Sequence, residues 1–428
     1  MYSKIEEKYV INYPTNNNAT YTSLLNYSNN LNSPFQRWYR YKEGYSIELV
    51  EQLINKYNKN INGTILDPFL GSGTTILGAK KCNLNSVGYE VNPFSAFLAS
   101  VKTDKYSNKD LKEFSIIYKT IIDDSKKLNK KYELPILSFS NKVFDNKVEK
   151  YIMNIKIRID EYNENGKVKN LLMIGWLSSL EKFSNYRKSG NGLKFRKTKN
   201  KIEHSIEEVY DYFNKEYMNI CDDIKEFKSQ NKSRVYNKSS LHMKEDIKEN
   251  SISGIIFSPP YANCFDYTEI YKLELWFGGF VKDYNDMKNL RKISLRSHLS
   301  SSLSEDDDST ADSPLLNELL NELSKKKVWD KKIPIMLNNY FNDMFKIIKD
   351  CYEVLETKGF CSIVVGNSAY GGIIFPTDLI LADYAKSIGF KVDKIDVYRY
   401  IIPSSQQYNE TLANKKYLRE SVICLIKE

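Results

Sequence analysis

Two short stretches hold residue types at spacings that suit chemistry. In the first, Asp67 closes an apolar run and is followed by Pro68, Phe69, Gly71, Ser72, Gly73, Thr74 and Thr75, while Glu90 ends a second apolar run 23 residues after Asp67. Glycines in a tight turn let backbone N–H groups approach a ligand where a side chain would block it. An acid at the end of the next strand is placed to accept two hydrogen bonds from a ribose diol. A phosphate-binding loop is excluded because Ala79 separates Gly78 from Lys80, and the dinucleotide fingerprint is incomplete because Ile76 stands at its third glycine. With Asp67 available for a cationic amino group, the pair suits an adenosyl ligand that carries an amino acid. S-adenosyl-L-methionine (SAM) fits that description.

The second stretch is Ser258-Pro259-Pro260-Tyr261, where the strand-like run "SGIIFS" ends. Pro259 has no N–H to donate and pushes Ser258 toward an extended conformation, so this corner is stiff before any ligand arrives.

The elements that must position these residues read as an alternation. Residues 1–33 form an irregular, Asn-, Ser- and Thr-rich leader, and Ser46 is placed to cap a helix starting at 47. Strand, glycine turn, helix and strand follow through Glu90, the opening of a Rossmann-like unit. Residues 105–232 turn long-helical and charged, and strands resume at 233–237 and 253–258. A helix ending at Gly359, a buried strand, a helix over 377–390 and two closing strands complete the chain. Seven strands with intervening helices predict an α/β fold, a doubly wound sheet with helices on both faces.

Composition narrows the function classes. The 428 residues are 41% hydrophobic with a net charge of +9, which permits a polyanionic partner. Six cysteines without a Cys-x-x-Cys pair and three dispersed histidines argue against a zinc site or a disulfide framework. No apolar run reaches the ~18 residues of a membrane span, and the N-terminus has no signal-peptide pattern, so a cytoplasmic location is expected.

"DPFLGSGTT" at 67–75 resembles the SAM-binding motif of the DNA amino-methyltransferases, and "SPPY" at 258–261 resembles their catalytic motif. "GYEVNPFSAFLA" at 88–99 is similar to the family's ribose-binding segment, with Glu90, Val91 and Asn92. "PFQRWYRYKEGYS" at 34–46, with Phe35, resembles the element that closes over the methionine part of SAM, and "RYIIPSS" at 399–405 resembles part of the last hairpin. The resemblance covers 34–104 and 233–428 and implies a Rossmann-like class I SAM-dependent methyltransferase domain. Its sheet would be seven-stranded and mostly parallel with an antiparallel last strand, and the helical insert at 105–232 stands outside it.

In that family a serine at the first position of the four-residue motif is typical of enzymes acting on N4 of cytosine, whereas adenine N6 enzymes more often carry Asp or Asn. An exocyclic amino nitrogen is a poor nucleophile because its lone pair is delocalised into the ring. Acceptors that hold both N–H groups aim the freed lone pair at the methyl group of SAM. The resemblance assigns that role to Ser258 Oγ and the Pro259 carbonyl, with Pro260 stiffening the corner and Tyr261 stacking on the base. The base must be flipped out of the duplex to reach them. Two departures stand out: Ser239 and Ser240 occupy the place where the family often has an adenine-binding Asp, with Asp246 too far along, and the SAM motif precedes SPPY, unlike many cytosine N4 enzymes.

The expected partner is double-stranded DNA, with a cognate restriction endonuclease encoded nearby. The insert at 105–232 is a candidate target-recognition region, and its basic loop (Arg187, Lys188, Lys194, Arg196, Lys197, Lys199 and Lys201) is a candidate phosphate contact. Residues 282–332, with Arg291 and Arg296, form a second insert. An adenine N6 enzyme, an RNA guanine-N2 methyltransferase and a DNA-binding protein with a degenerate SAM fold are the competing readings. Cys264 is assigned to packing, since no Pro-Cys dipeptide is present.

Overall fold

The computed structural model describes residues 2–16, 18–190, 192–196, 203–226, 231–304, 313–402 and 408–428. One large sheet organises the chain. Its strands are β1 (Ile11–Asn12), β2 (Thr64–Asp67), β3 (Asn85–Tyr89), β4 (Ser233–Tyr236), β5 (Ile252–Phe257), β6 (Leu355–Gly366), β7 (Phe390–Tyr400) and β8 (Arg419–Lys427). They lie in the order β1-β7-β8-β6-β5-β2-β3-β4. β2 runs parallel to β3 and β5, β3 to β4, and β5 to β6, while β8 is antiparallel to both neighbours. All six residues of β5 are buried, as a parallel strand covered on both faces requires.

The seven expected strands are present, with the last antiparallel. An eighth, β1, comes from the leader read as irregular: Tyr2–Glu6 is helical, and Ile11–Asn12 pairs in parallel with β7. Its anchor is electrostatic. Arg419, fully buried at the start of β8, donates to Asp378 at 2.7 Å and to Glu6 at 2.6 Å. The helix expected to end at Gly359 ends at Val354, and Gly359 lies inside β6 beside a register shift against β5.

Residues 105–232 supply the helices Asn108–Lys127, Asn146–Glu161, Gly166–Phe183 and Ile206–Glu226. Gly175 lets two of them close up: a methyl group there would lie 2.2 Å from the Tyr217 ring. The core of the insert is continuous with the rest of the chain: Phe114, Trp176 and Tyr217 join one apolar cluster with Trp38, Phe94 and Tyr271 of the sheet domain.

β2 is the point where strand order reverses, with β3 on one side and β5 on the other. The carboxyl ends of these three strands therefore frame the crevice in which such sheets bind ligands. They end at Asp67, Tyr89 and Phe257, immediately before the residues singled out in the sequence.

Asp378 is fully buried and accepts from Arg419, Asn367 and Ser421. Asp378→Ala removes the fully buried one of the two carboxylates that hold Arg419, leaving Glu6, and should cost up to about 3 kcal/mol. A urea unfolding midpoint that moves down with an unchanged slope would report it.

Candidate active site

A cavity of about 360 Å³ opens at that crevice, within the size range of small-molecule sites. It is lined by Pro68, Phe69, Gly71, Glu90, Val91 and Asn92 on one side and by Ser258, Pro259, Pro260 and Tyr261 on the other. Two segments far apart in the chain thus share one space, because β2, β3 and β5 are neighbours.

The glycine turn is shaped by backbone needs. Gly71 and Gly73 have φ of +51° and +93°, which side chains rarely tolerate. A methyl group on Gly71 would also come within 3.2 Å of the Tyr41 ring, and one on Gly73 within 3.2 Å of Ala99. Glu90 closes the turn from the next strand: one carboxylate oxygen accepts from the Gly71 N–H and the other from the Asn92 N–H, both at 2.8 Å. Asn92 caps the helix Pro93–Thr103 through its side chain. Burial pushes the Glu90 carboxyl up to about 7 against these two donors, and the charge of Asp67 adds to the rise.

Several expected ligand contacts are displaced one layer down. Asp67 does not face the cavity; Thr75 Oγ1 at 2.5 Å, Tyr45 OH at 3.2 Å and the Phe69 N–H at 2.9 Å occupy its oxygens. Ser72, Gly73, Thr74 and Thr75 do not line the cavity, and Phe35 packs on Trp38 outside it. Besides Glu90, a carboxylate that does line the cavity is Glu43, which accepts from Tyr271 OH and is pushed up by burial. It lies within the stretch 34–46 but carried no local signal. Tyr41 lines the same wall and stacks on Tyr271, with centroids 5.0 Å apart. Lys238, Ser239, Ser240 and Leu241 line the far side. Asp246 lies outside the cavity and accepts from Lys238 at 2.6 Å and Tyr89 at 3.0 Å.

On the SPPY side, Tyr261 packs on Gly366, where a methyl group would meet its ring at 2.6 Å. Burial raises its phenol far above the ordinary value, with the Glu420 charge acting in the same sense and a hydrogen bond with Ser258 in the opposite one. Arg399 pairs with Glu420 at 2.6 Å on the same wall. His298, missed in the sequence, also lines the cavity. Its Nδ1 is 3.1 Å from Ser300 Oγ, and Ser300 donates to Asp266 at 3.2 Å. Cys264 is half-buried 3.3 Å from Tyr370 OH, a packing position.

The basic residues divide. Arg187 and Lys194 are exposed and face each other across the hairpin Tyr186–Ser189/Gly192–Phe195. Lys188 is corrected from phosphate contact to buried cation: it pairs with Glu274 at 2.7 Å and donates to Tyr39 at 2.5 Å. Strand alternation turns it inward between two outward neighbours. Arg196 spends its guanidinium on the carbonyls of Ser184 and Glu181. Lys197, Lys199 and Lys201 lie outside the described residues, as do Pro403, Ser404 and Ser405 of the hairpin motif. Arg291 is bound by Asp266 and Glu269, and Arg296 by Asp343, so neither is a free phosphate ligand. Asp223 of the insert, fully buried, accepts from the Phe35 N–H and Trp38 Nε1, both at 2.8 Å, and from Arg37.

The residues present fit SAM. Glu90 offers free lone pairs to a ribose diol, Glu43 a carboxylate to a cationic amino group, and the Gly71 turn a cradle that any side chain would fill. Bound there, SAM supplies an electrophilic methyl group. A carboxyl raised in the folded state is neutral below about pH 7 and charged above it, so the stability its burial preserves at low pH is lost as pH rises through about 7. Hydroxyl donors favour the charged form. SAM affinity should therefore rise from about pH 6 to about pH 8, with proton release seen by calorimetry in buffers of different ionisation enthalpy. Glu90→Gln should weaken binding about 10–100-fold and flatten that dependence.

A family model described as DNA methylase matches residues 3–100. The type II methyltransferase M.BsoBI of Geobacillus stearothermophilus is 29% identical over 92% of this chain and 85% of its own length. M.AvaI of Nostoc sp., another type II methyltransferase, is 30% identical over 87% of this chain and 82% of its own. M.MvaI of Kocuria varians, also a type II methyltransferase, is 23% identical over 88% and 84%. The similarity spans both walls of the cavity, and the chain belongs to the DNA amino-methyltransferase family, type II DNA methyltransferases of the N4/N6 kind that use SAM as methyl donor.

Proposed function

We propose that the protein methylates N4 of cytosine within a specific duplex sequence and is the modification enzyme of a restriction-modification system with a cognate endonuclease encoded nearby. The observation that carries the reading is Ser258 at the end of buried β5, lining the same cavity as Glu90 and Gly71. Ser258 Oγ and the Pro259 carbonyl hold the two N–H groups of the flipped base, and Tyr261 covers its face. Pro259 and Pro260 keep these acceptors in place, so no reorganisation is needed as charge develops on the amino nitrogen. Glu43, Gly71 and Glu90 hold SAM opposite them. Exposed Arg187 and Lys194 on the insert hairpin touch phosphates and bring the insert to the target sequence.

DNA from a host expressing the protein, digested to nucleosides, should show N4-methylcytosine by mass spectrometry; N6-methyladenine alone would overturn the base assignment. Transfer of label to tRNA but not to duplex DNA would favour the RNA reading. Pro259→Ala should lower kcat about tenfold or more while leaving SAM affinity unchanged, because it loosens only the acceptor side. Equal losses in both would contradict the role.

A further inference from the structure

A surface run outside every site assigned so far combines charge with an aromatic ring. Between the helices Pro314–Ser324 and Ile333–Val354 lie Lys325, Lys326, Lys327, Trp329, Lys331 and Lys332. Trp329 is 65% exposed, whereas Trp38, Trp176 and Trp276 are buried. All five lysines are exposed, and among the described residues only Lys325 has an ion pair, with Glu322.

The run is joined to the wall of the catalytic cavity through Gly371 and the buried side chain of Tyr370. A methyl group on Gly371 would lie 3.1 Å from Lys326 Cβ and 3.7 Å from the Lys327 carbonyl, so the two backbones are in contact. Tyr370, its neighbour in the chain, donates to the Ala262 carbonyl at 2.9 Å, and its hydroxyl reaches Cys264. Asn263, between those two residues, lines the cavity two positions past Tyr261. Asp330 is close enough to Cys264 for its charge to help burial raise the thiol.

One occupant suits this place. Exposed lysines without carboxylate partners complement a phosphate backbone. A base can enter the cavity only by leaving its helix, so the duplex it leaves must pass over the rim. An exposed indole beside a basic run matches the combination of stacking and charge that holds unstacked bases. We infer that Lys326, Lys327, Lys331 and Lys332 contact phosphates flanking the target, and that Trp329 stacks on a base exposed when the target flips. The inference rests on duplex DNA as the substrate and is independent of which base is methylated.

Because Trp329 is the one exposed indole among the described residues, acrylamide quenching of tryptophan emission in the full chain isolates it. A duplex carrying the methylated site should protect that emission. Trp329→Ala should weaken binding of the same duplex about tenfold. The triple variant Lys327→Ala, Lys331→Ala, Lys332→Ala should lower the slope of log affinity against log salt by about 0.9 for each phosphate it leaves unneutralised. SAM affinity should stay unchanged in both variants, which shows that they fold. An indole that remains open to acrylamide in the complex, with variants binding within twofold of the wild type at an unchanged salt slope, overturns the surface. A wild type that methylates no duplex overturns the substrate reading, and this surface with it.

Discussion

The buried carboxylate of Asp67 is the constraint on which both halves of the site depend. It sits at the end of the central strand and gathers Thr75 of the following helix, Tyr45 of the segment before the first core helix and the backbone of Phe69. Thr75 Oγ1 also lies 3.3 Å from the carbonyl of Ile256, two residues before Ser258. The glycine turn, the wall bearing Tyr41 and Glu43 and the root of the SPPY corner therefore meet at one carboxyl group. Burial holds that group near pH 7 against its own hydrogen bonds. An acid there costs desolvation, and its three donors offset that cost.

The helical insert is tied to the same wall from two directions. Asp223 grips residues 35–38, and Lys188 with Glu274 grips Tyr39, while the Lys42 ammonium donates to the Lys188 carbonyl at 2.6 Å. Segment 35–45 is thus held between insert and sheet before it reaches the cavity. Arg187 and Lys194 stand on the hairpin that also carries Lys188. The exposed residues of that hairpin and the wall of the SAM site are consequently parts of one connected network, with buried charges at its joints.

Much of this was legible where the cause is local. Gly71 and Gly73 announce positive φ, Ser46 accepts from the Leu49 N–H as a cap should, and Pro259 marks a strand end with no donor. Glu90 follows from its spacing after a strand. The displacement of Asp67 from ligand contact to internal tie was not legible, because its donors come from residues on both sides of it whose approach is set by packing. Glu43 was hidden for the converse reason: its partner Tyr271 stands 228 residues away. Lys188 looked like its basic neighbours until strand alternation and Glu274 turned it inward.

The sequence by itself determined the order of the seven core strands, the two turns whose backbone only glycine or proline suits, and through them the kind of cofactor and the kind of group methylated. The tertiary structure alone decided which acids face the cavity, which cations remain free and that Trp329 stays exposed while the other three tryptophans are buried. Turn conformation is written in single residues, whereas burial and charge pairing depend on partners brought together across the sheet from distant parts of the chain.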